Sequence, residues 1–244
     1  MIPKVELKIK MKPVINSFND VIHKQQEIAL YVQQNPLDDY IITLGHDEIN
    51  YPGDSVIAGS QAIHLLSQEL KYAQSVFANH YIKNNKNFID CLDHLKNGSM
   101  TVDDFLKEIE NYKYPSKTFI HFTPNDTDMF ILNSPDNKRL QIGNLDVIYT
   151  KKDAEALLLS FDLPCCRAAK DLKGKWLISI QCLNALLTNI VYLPQYIKDQ
   201  NMFLDKYNLR KLQFRMEKYI QRGYQFEYVN NDKMMLWMEN QLWY

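Results

Sequence analysis

Between residues 17 and 34 the apolar side chains fall at Phe18, Val21, Ile22, Ile28, Ala29 and Val32, a spacing that winds onto one stripe of a helix. Asn16 or Ser17 supplies a cap at its start, and Asn35-Pro36 stops it. Tyr40 to Leu44 reads as a short extended piece ahead of a polar loop with Pro52 and Gly53. Ser55-Val56-Ile57-Ala58 then reads as a short buried strand. Gly59-Ser60 makes a turn, and a helix opens there through Gln61-Ala62-Ile63-His64-Leu65-Leu66. Residues 73–115 look helical and polar, with FIDCLDHL and TVDDFLKEIENY separated by Asn97-Gly98, and with Thr101 and Asp104 as a capping pair.

From Lys117 the pattern becomes extended. KTFIHFT and DTDMFIL are rich in β-branched and aromatic residues, and Asn133-Ser134-Pro135-Asp136-Asn137 is a turn cluster. LQIGNLDVIYT predicts a strand, KDAEALLLS a short helix and FDLPCCRAA another strand, followed by a turn at Gly174. Ser179 to Tyr192 and Leu204 to Arg222 read as helices, the second of them basic, and the tail is aromatic and Met-rich. Helix, strand-turn-helix, helical insert, sheet and helices in that order indicate an α+β (or α/β-like) core with helical additions. The divisions are an N-terminal helical and extended segment at 1–54, a core at 55–178 with a helical insertion at about 73–115, and a C-terminal helical region at 179–244.

Composition narrows the classes. With 46% hydrophobic and 23% charged residues, the 244-residue chain reads as globular rather than disordered. Its 28 basic and 29 acidic residues nearly cancel, so attraction to nucleic acid has to come from a local patch rather than a global field. No window approaches the roughly 20 apolar residues of a membrane span. Cys91, Cys165, Cys166 and Cys182 form no CxxC pair, and Cys165 and Cys166 would face opposite sides of a strand. Reduced thiols packed near a core, and a reducing cytoplasmic setting, are the expectation.

The candidate chemistry lies in Asp126-Thr127-Asp128. Side chains two apart on a strand share a face at roughly 6.5–7 Å. Two carboxylates so placed suit divalent cations, which sit about 3.5–4 Å apart in two-metal phosphoryl transfer. Met129, Phe130, Ile131 and Leu132 follow, so the pair stands at the mouth of a buried strand, where like charges are costly without a cation. Upstream, Gly59-Ser60 between a strand and a helix lets backbone approach a triphosphate, with the helix amides and dipole aimed at it.

Strand, Ala58-Gly59-Ser60, helix and then Asp126-Thr127-Asp128 on a later strand resembles the DNA polymerase beta-type nucleotidyltransferase superfamily. Phe161-Asp162-Leu163-Pro164-Cys165-Cys166-Arg167 is similar to the FD-aliphatic strand of viral and fungal members, and Lys218-Tyr219-Ile220-Gln221-Arg222-Gly223-Tyr224 to their basic KY..RGF element. The likeness spans about residues 55–226 through short motifs. It implies a nucleotidyltransferase-type mixed sheet flanked by helices, in which Asp126 and Asp128 hold Mg²⁺ or Mn²⁺ and position a nucleoside triphosphate. Asp162, with Asp146 as rival, completes the metal and catalytic set. Gly59, Ser60, Lys218 and Arg222 contact the nucleotide, and RNA, a protein or a small molecule is the acceptor. A catalytically silent fold of the same type, serving as a binding or scaffold subunit, is the alternative. An intact third carboxylate facing the pair favours the enzyme, whereas a salt bridge filling the pocket favours the scaffold.

Other residues read more plainly. Arg210, Lys211, Arg215, Lys218 and Arg222 place several cations on one helical face: a solvated face, or a contact for triphosphate or RNA backbone. His64 reads as packed on its helix, and His23, His46, His80, His94 and His121 lack metal-ligand spacing. Met234, Met235, Trp237, Met238, Trp243 and Tyr244 read as packing onto the core, with a stacking platform or a dimer patch as the alternative.

Overall fold

The computed structural model describes residues 11–45, 55–84, 86–110, 119–120, 122–195 and 206–229. Ser17 opens helix α1 (Phe18–His23): its hydroxyl accepts from the Asp20 N–H at 3.1 Å, and the Asp20 carboxylate accepts from the Ser17 N–H at 3.0 Å. The stripe read as one helix is two, because the backbone leaves helical geometry at Lys24 before α2 (Gln25–Gln34) resumes. Val21, Ile22, Ile28 and Val32 are nonetheless all closed to solvent, so the stripe survives the break.

Seven strands form one mixed sheet in the order β1-β7-β6-β2-β3-β5-β4. They are β1 (Ile41–Leu44), β2 (Ser55–Ala58), β3 (Thr127–Ile131), β4 (Arg139–Ile142), β5 (Leu145–Tyr149), β6 (Ala168–Asp171) and β7 (Trp176–Ser179). All neighbours are antiparallel except β3 and β5, which run parallel. One face sets Ile42, Leu44, Ala168, Trp176 and Ile178 against α1, α2, α3 (Ser60–Asn84) and α7 (Ile180–Thr188). The other sets Val56, Ala58, Phe130, Ala169 and Leu177 against α6 (Ala154–Leu159). β7 is buried at all four positions, on both faces of the sheet, whereas β2 alternates, with Val56 and Ala58 buried and Ser55 and Ile57 partly exposed.

Beyond the sheet, α4 (Lys86–Lys96) and α5 (Val102–Glu110) make the expected helical insertion, their Phe88 and Phe105 rings 6.2 Å apart. Thr101 caps α5 by accepting from the Asp104 N–H at 3.1 Å. A third apolar cluster joins α8 (Lys206–Gln221) to a two-stranded parallel ribbon of β8 (Ile190–Pro194) and β9 (Gln225–Val229).

Four expectations need correction. Ser179–Tyr192 is not one helix: Asn189 takes a left-handed backbone (φ 64°), ends α7, and β-branched Ile190 and Val191 start β8. LQIGNLDVIYT is two strands, because Gly143 at φ 60° turns the chain between paired Ile142 and Leu145. FDLPCCRAA gives a short 3-10 turn over Pro164–Cys166 and only then β6, since Pro164 lacks the donor a strand needs. Phe119 and Ile120 of KTFIHFT are buried without joining the sheet, while 117, 118 and 121 lie outside the described residues. The Met- and Trp-rich tail from 230 also lies outside them. All four cysteines are free, and Cys91, Cys165 and Cys182 are buried. Among the described residues no helix is long and apolar enough to cross a membrane.

A buried ion pair ties the approach to β1 onto the approach to β6. Arg167 Nη1 donates to Asp39 Oδ2 at 2.7 Å, while its Nε and Nη2 donate to the Phe161 carbonyl at 2.9 and 2.8 Å. Asp39 Oδ1 accepts from the Gln181 N–H at 3.2 Å. Arg167→Met would strand the Asp39 charge in the interior and cost about 3–5 kcal/mol, read as a lower urea midpoint. The Asp39→Asn/Arg167→Met double variant is expected to recover part of that loss.

Candidate metal centre

The strand register brings the acidic residues together. Ala58 at the end of β2 lies opposite Asp128 on β3, and Asp128 lies opposite Asp146 on β5. Residues directly opposite in neighbouring strands project to the same face, so Asp128 and Asp146 share one surface of the sheet. Asp126 stands just ahead of β3, exposed, and Asp128 is half-buried. Asp146 is only 4% exposed. The chain turns out of β2 at Gly59, whose φ of 70° is a left-handed value that favours glycine. A Cβ there would stand 3.8 Å from Asp128 Oδ2, so this turn lies directly over that carboxylate. α3 starts at Ser60, and the Ile63 N–H donates to the Gly59 carbonyl at 3.1 Å. The free amides of its first turn therefore open beside the acids.

The electrostatics follow from this crowding. Burial pushes the Asp128 carboxyl above its usual value, and the charges of Asp126 and Asp146 push it further. Arg139 on β4 and Lys218 on α8 oppose the shift. Arg139 is paired with Asp146 Oδ2, although its own side chain is 65% exposed. The other oxygen, Asp146 Oδ1, is buried without a hydrogen-bond partner. Among the described residues no three His, Cys, Asp or Glu side chains converge tightly enough to hold a metal ion as they stand. Asp128 and Asp146 share a face of the sheet, Asp126 lies just ahead of the strand, and Arg139 pairs with Asp146.

Of the residues singled out from sequence, Gly59 and Ser60 lie at the turn over Asp128, Asp126 stands just ahead of β3 rather than on it, and the charges of Asp126 and Lys218 act on Asp128. Arg222 lies one helical turn beyond, its guanidinium 3.7 Å from the centre of the Phe122 ring and 4.8 Å from that of Tyr219, with Nη1 buried and without a hydrogen-bond partner. His64 is half-buried, its ring 6.5 Å from Phe122. Asp162 sits elsewhere. It is exposed on the loop after α6, pairs with Arg215 of α8, and lines a hollow with Asp39, Arg167 and Tyr192. Asp146, the rival, is the carboxylate beside Asp128. Arg139 is the residue that sequence reasoning missed, because its role depends on a hairpin, β4–β5, that was read as one strand.

An oxygen-only donor set with a buried, unsatisfied carboxylate oxygen suits a hard divalent cation such as Mg²⁺ or Mn²⁺. Asp126, Asp128 and Asp146 would hold it once Arg139 releases Asp146.

The raised Asp128 carboxyl has a signed consequence. Between its usual value of 3.8 and its raised one, the folded chain keeps a proton that the unfolded chain has released. Without metal, stability therefore falls as pH rises through that window. Asp128→Asn is expected to melt at a higher temperature than the natural chain at neutral pH without metal. If Mn²⁺ raises the melting temperature of the natural chain, the variant is expected to lose that rise. Both are read by thermal denaturation with and without EDTA.

No protein-family model matches the chain, and neither curated proteins nor solved structures gave a match.

Proposed function

We propose that this chain is a metal-dependent nucleotidyltransferase, moving a nucleoside monophosphate from a nucleoside triphosphate to a hydroxyl acceptor. The observation that carries the reading is the register Ala58–Asp128–Asp146, which gathers a Gly-Ser turn, a helix start and three acidic residues at one end of the sheet. An anion is favoured at such a helix start, and acids are tolerated beside it when a cation lies between them.

The acceptor oxygen bonds to the α-phosphorus, the bond from that phosphorus to the bridging oxygen breaks, and pyrophosphate leaves with the electron pair. The acceptor's proton passes to one of the carboxylates of the site. Gly59 and the first amides of α3 hold the phosphate oxygens. Lys218 and Arg222 bring positive charge to the leaving pyrophosphate. When bound, Mg²⁺ or Mn²⁺ supplies charge neutralisation for phosphates and acceptor. Asp146 takes the part of third carboxylate in this reading, in place of Asp162.

The test is transfer of label from an α-labelled nucleoside triphosphate into RNA, protein or a small molecule, with Mn²⁺. Asp126→Ala/Asp128→Ala is expected to abolish it. Asp146→Asn is expected to lower it roughly 100-fold or more, as loss of a metal ligand does. Asp162→Asn, which breaks an exposed ion pair, should stay within about fivefold. The reverse ranking would return the third position to Asp162.

The Arg139–Asp146 pair favours a second reading, a silent fold of the same type in which arginine permanently replaces the cation. Arg139→Gln separates the two. If Arg139 yields to metal, the variant binds Mn²⁺ more tightly and both proteins transfer label. If it does not, the natural chain is inactive and neither binds nor turns over triphosphate until Arg139 is removed.

A further inference from the structure

Helix α8 buries Leu212, Met216 and Tyr219, which fall on one side of it. About a quarter turn away run Lys211, Arg215, Lys218 and Arg222, spaced four, three and four residues apart, so they make a single stripe along the axis. The first three are exposed, and Arg222 at the end is half-buried. Over the eleven steps from Lys211 to Arg222 that stripe extends roughly 16 Å. Phe214 borders it and is 69% exposed, the ring in water where a helix of this length ordinarily carries a polar residue. Glu217 is the only acid that α8 itself carries. The chain as a whole has a net charge of −1, so this concentration of positive charge is local.

The stripe also has a direction. At one end Lys211 and Phe214 face solvent, in the middle Arg215 meets Asp162, and at the far end Tyr219 and Arg222 pack on Phe122, which lies four residues ahead of Asp126 with its ring 6.5 Å from that of His64 on α3. Positive charges in line with an aromatic face between them match a flexible polyanion that carries flat rings. Phosphates pair with the cations, and a base stacks on Phe214. A folded acidic protein surface would use the charges but would leave an isolated ring in water unexplained.

We propose that the exposed side of α8 is a track for single-stranded nucleic acid, with Lys211 and Arg215 on its phosphates and Phe214 stacking a base, and that it leads the strand's end to the carboxylate site. The acceptor hydroxyl would then be the terminal hydroxyl of that strand. This rests on the nucleotidyltransferase reading for what happens at the end of the track, but not for the track itself.

The experiment is fluorescence anisotropy of a short labelled single-stranded RNA with the full chain, in EDTA and without triphosphate, over a range of salt. Circular dichroism checks each variant's fold. Phe214→Ala is expected to weaken binding roughly 5- to 150-fold, and Phe214→Trp to keep it. Lys211→Ala/Arg215→Ala should flatten the slope of log affinity against log salt by about 1.4. Full-strength binding by Phe214→Ala, or no RNA binding at low salt, would overturn the proposal, as would label transfer to protein with RNA inert. RNA binding that depends on Phe214, without any label transfer, would leave the track standing and remove the enzyme reading instead.

Discussion

Three adjacent strands, β2, β3 and β5, determine what this molecule can do at its candidate site. The backbone pairing of Ala58 with Asp128, and of Asp128 with Asp146, sets two carboxylates side by side at the point where the chain turns into α3. A slip of one residue would turn these acids to the opposite face. The apolar residues that fix the register, Val56 and Phe130 on one face, are the same that pack against α6, so burial of the core and placement of the acids are a single event.

The acids then dictate the positive charges around them. Two cations act on Asp128, Arg139 from the edge strand and Lys218 from a helix far along the chain. Without them the like charges would repel in a half-buried setting, where the screening of open water is reduced. Arg139 brings its positive charge to buried Asp146 from a side chain that is mostly in solvent.

Much of this was legible in the residues. The strand-turn-helix at Ser55–Leu66 and the acids at Asp126 and Asp128 depend on local signals, namely alternating burial, a glycine with positive φ, and a two-residue spacing. The third carboxylate was not legible in the same way. Asp162 matches a motif, yet the chain carries it onto a loop beside Arg215, while Asp146 reaches Asp128 only because β5 joins β3 in parallel. Parallel partners are separated by a connection whose path leaves little local trace. Reading β4 and β5 as one strand concealed both the hairpin and the arginine it presents. Asn189 similarly hid the end of α7, because a left-handed asparagine looks like any polar residue in a helical window.

The crossover β8–α8–β9 has a kinetic side. Among the described residues its two strands pair only with each other, and α8 carries Lys218, whose charge acts on Asp128. The seven-stranded sheet and the carboxylates it holds do not need the ribbon's hydrogen bonds. Fraying of those bonds would withdraw Lys218 while the carboxylates and Arg139 stayed on the sheet. The ribbon and α8 dock on the rest of the chain through Leu163, Cys165 and Ala185, so the time they stay docked sets how long Lys218 remains within reach of Asp128.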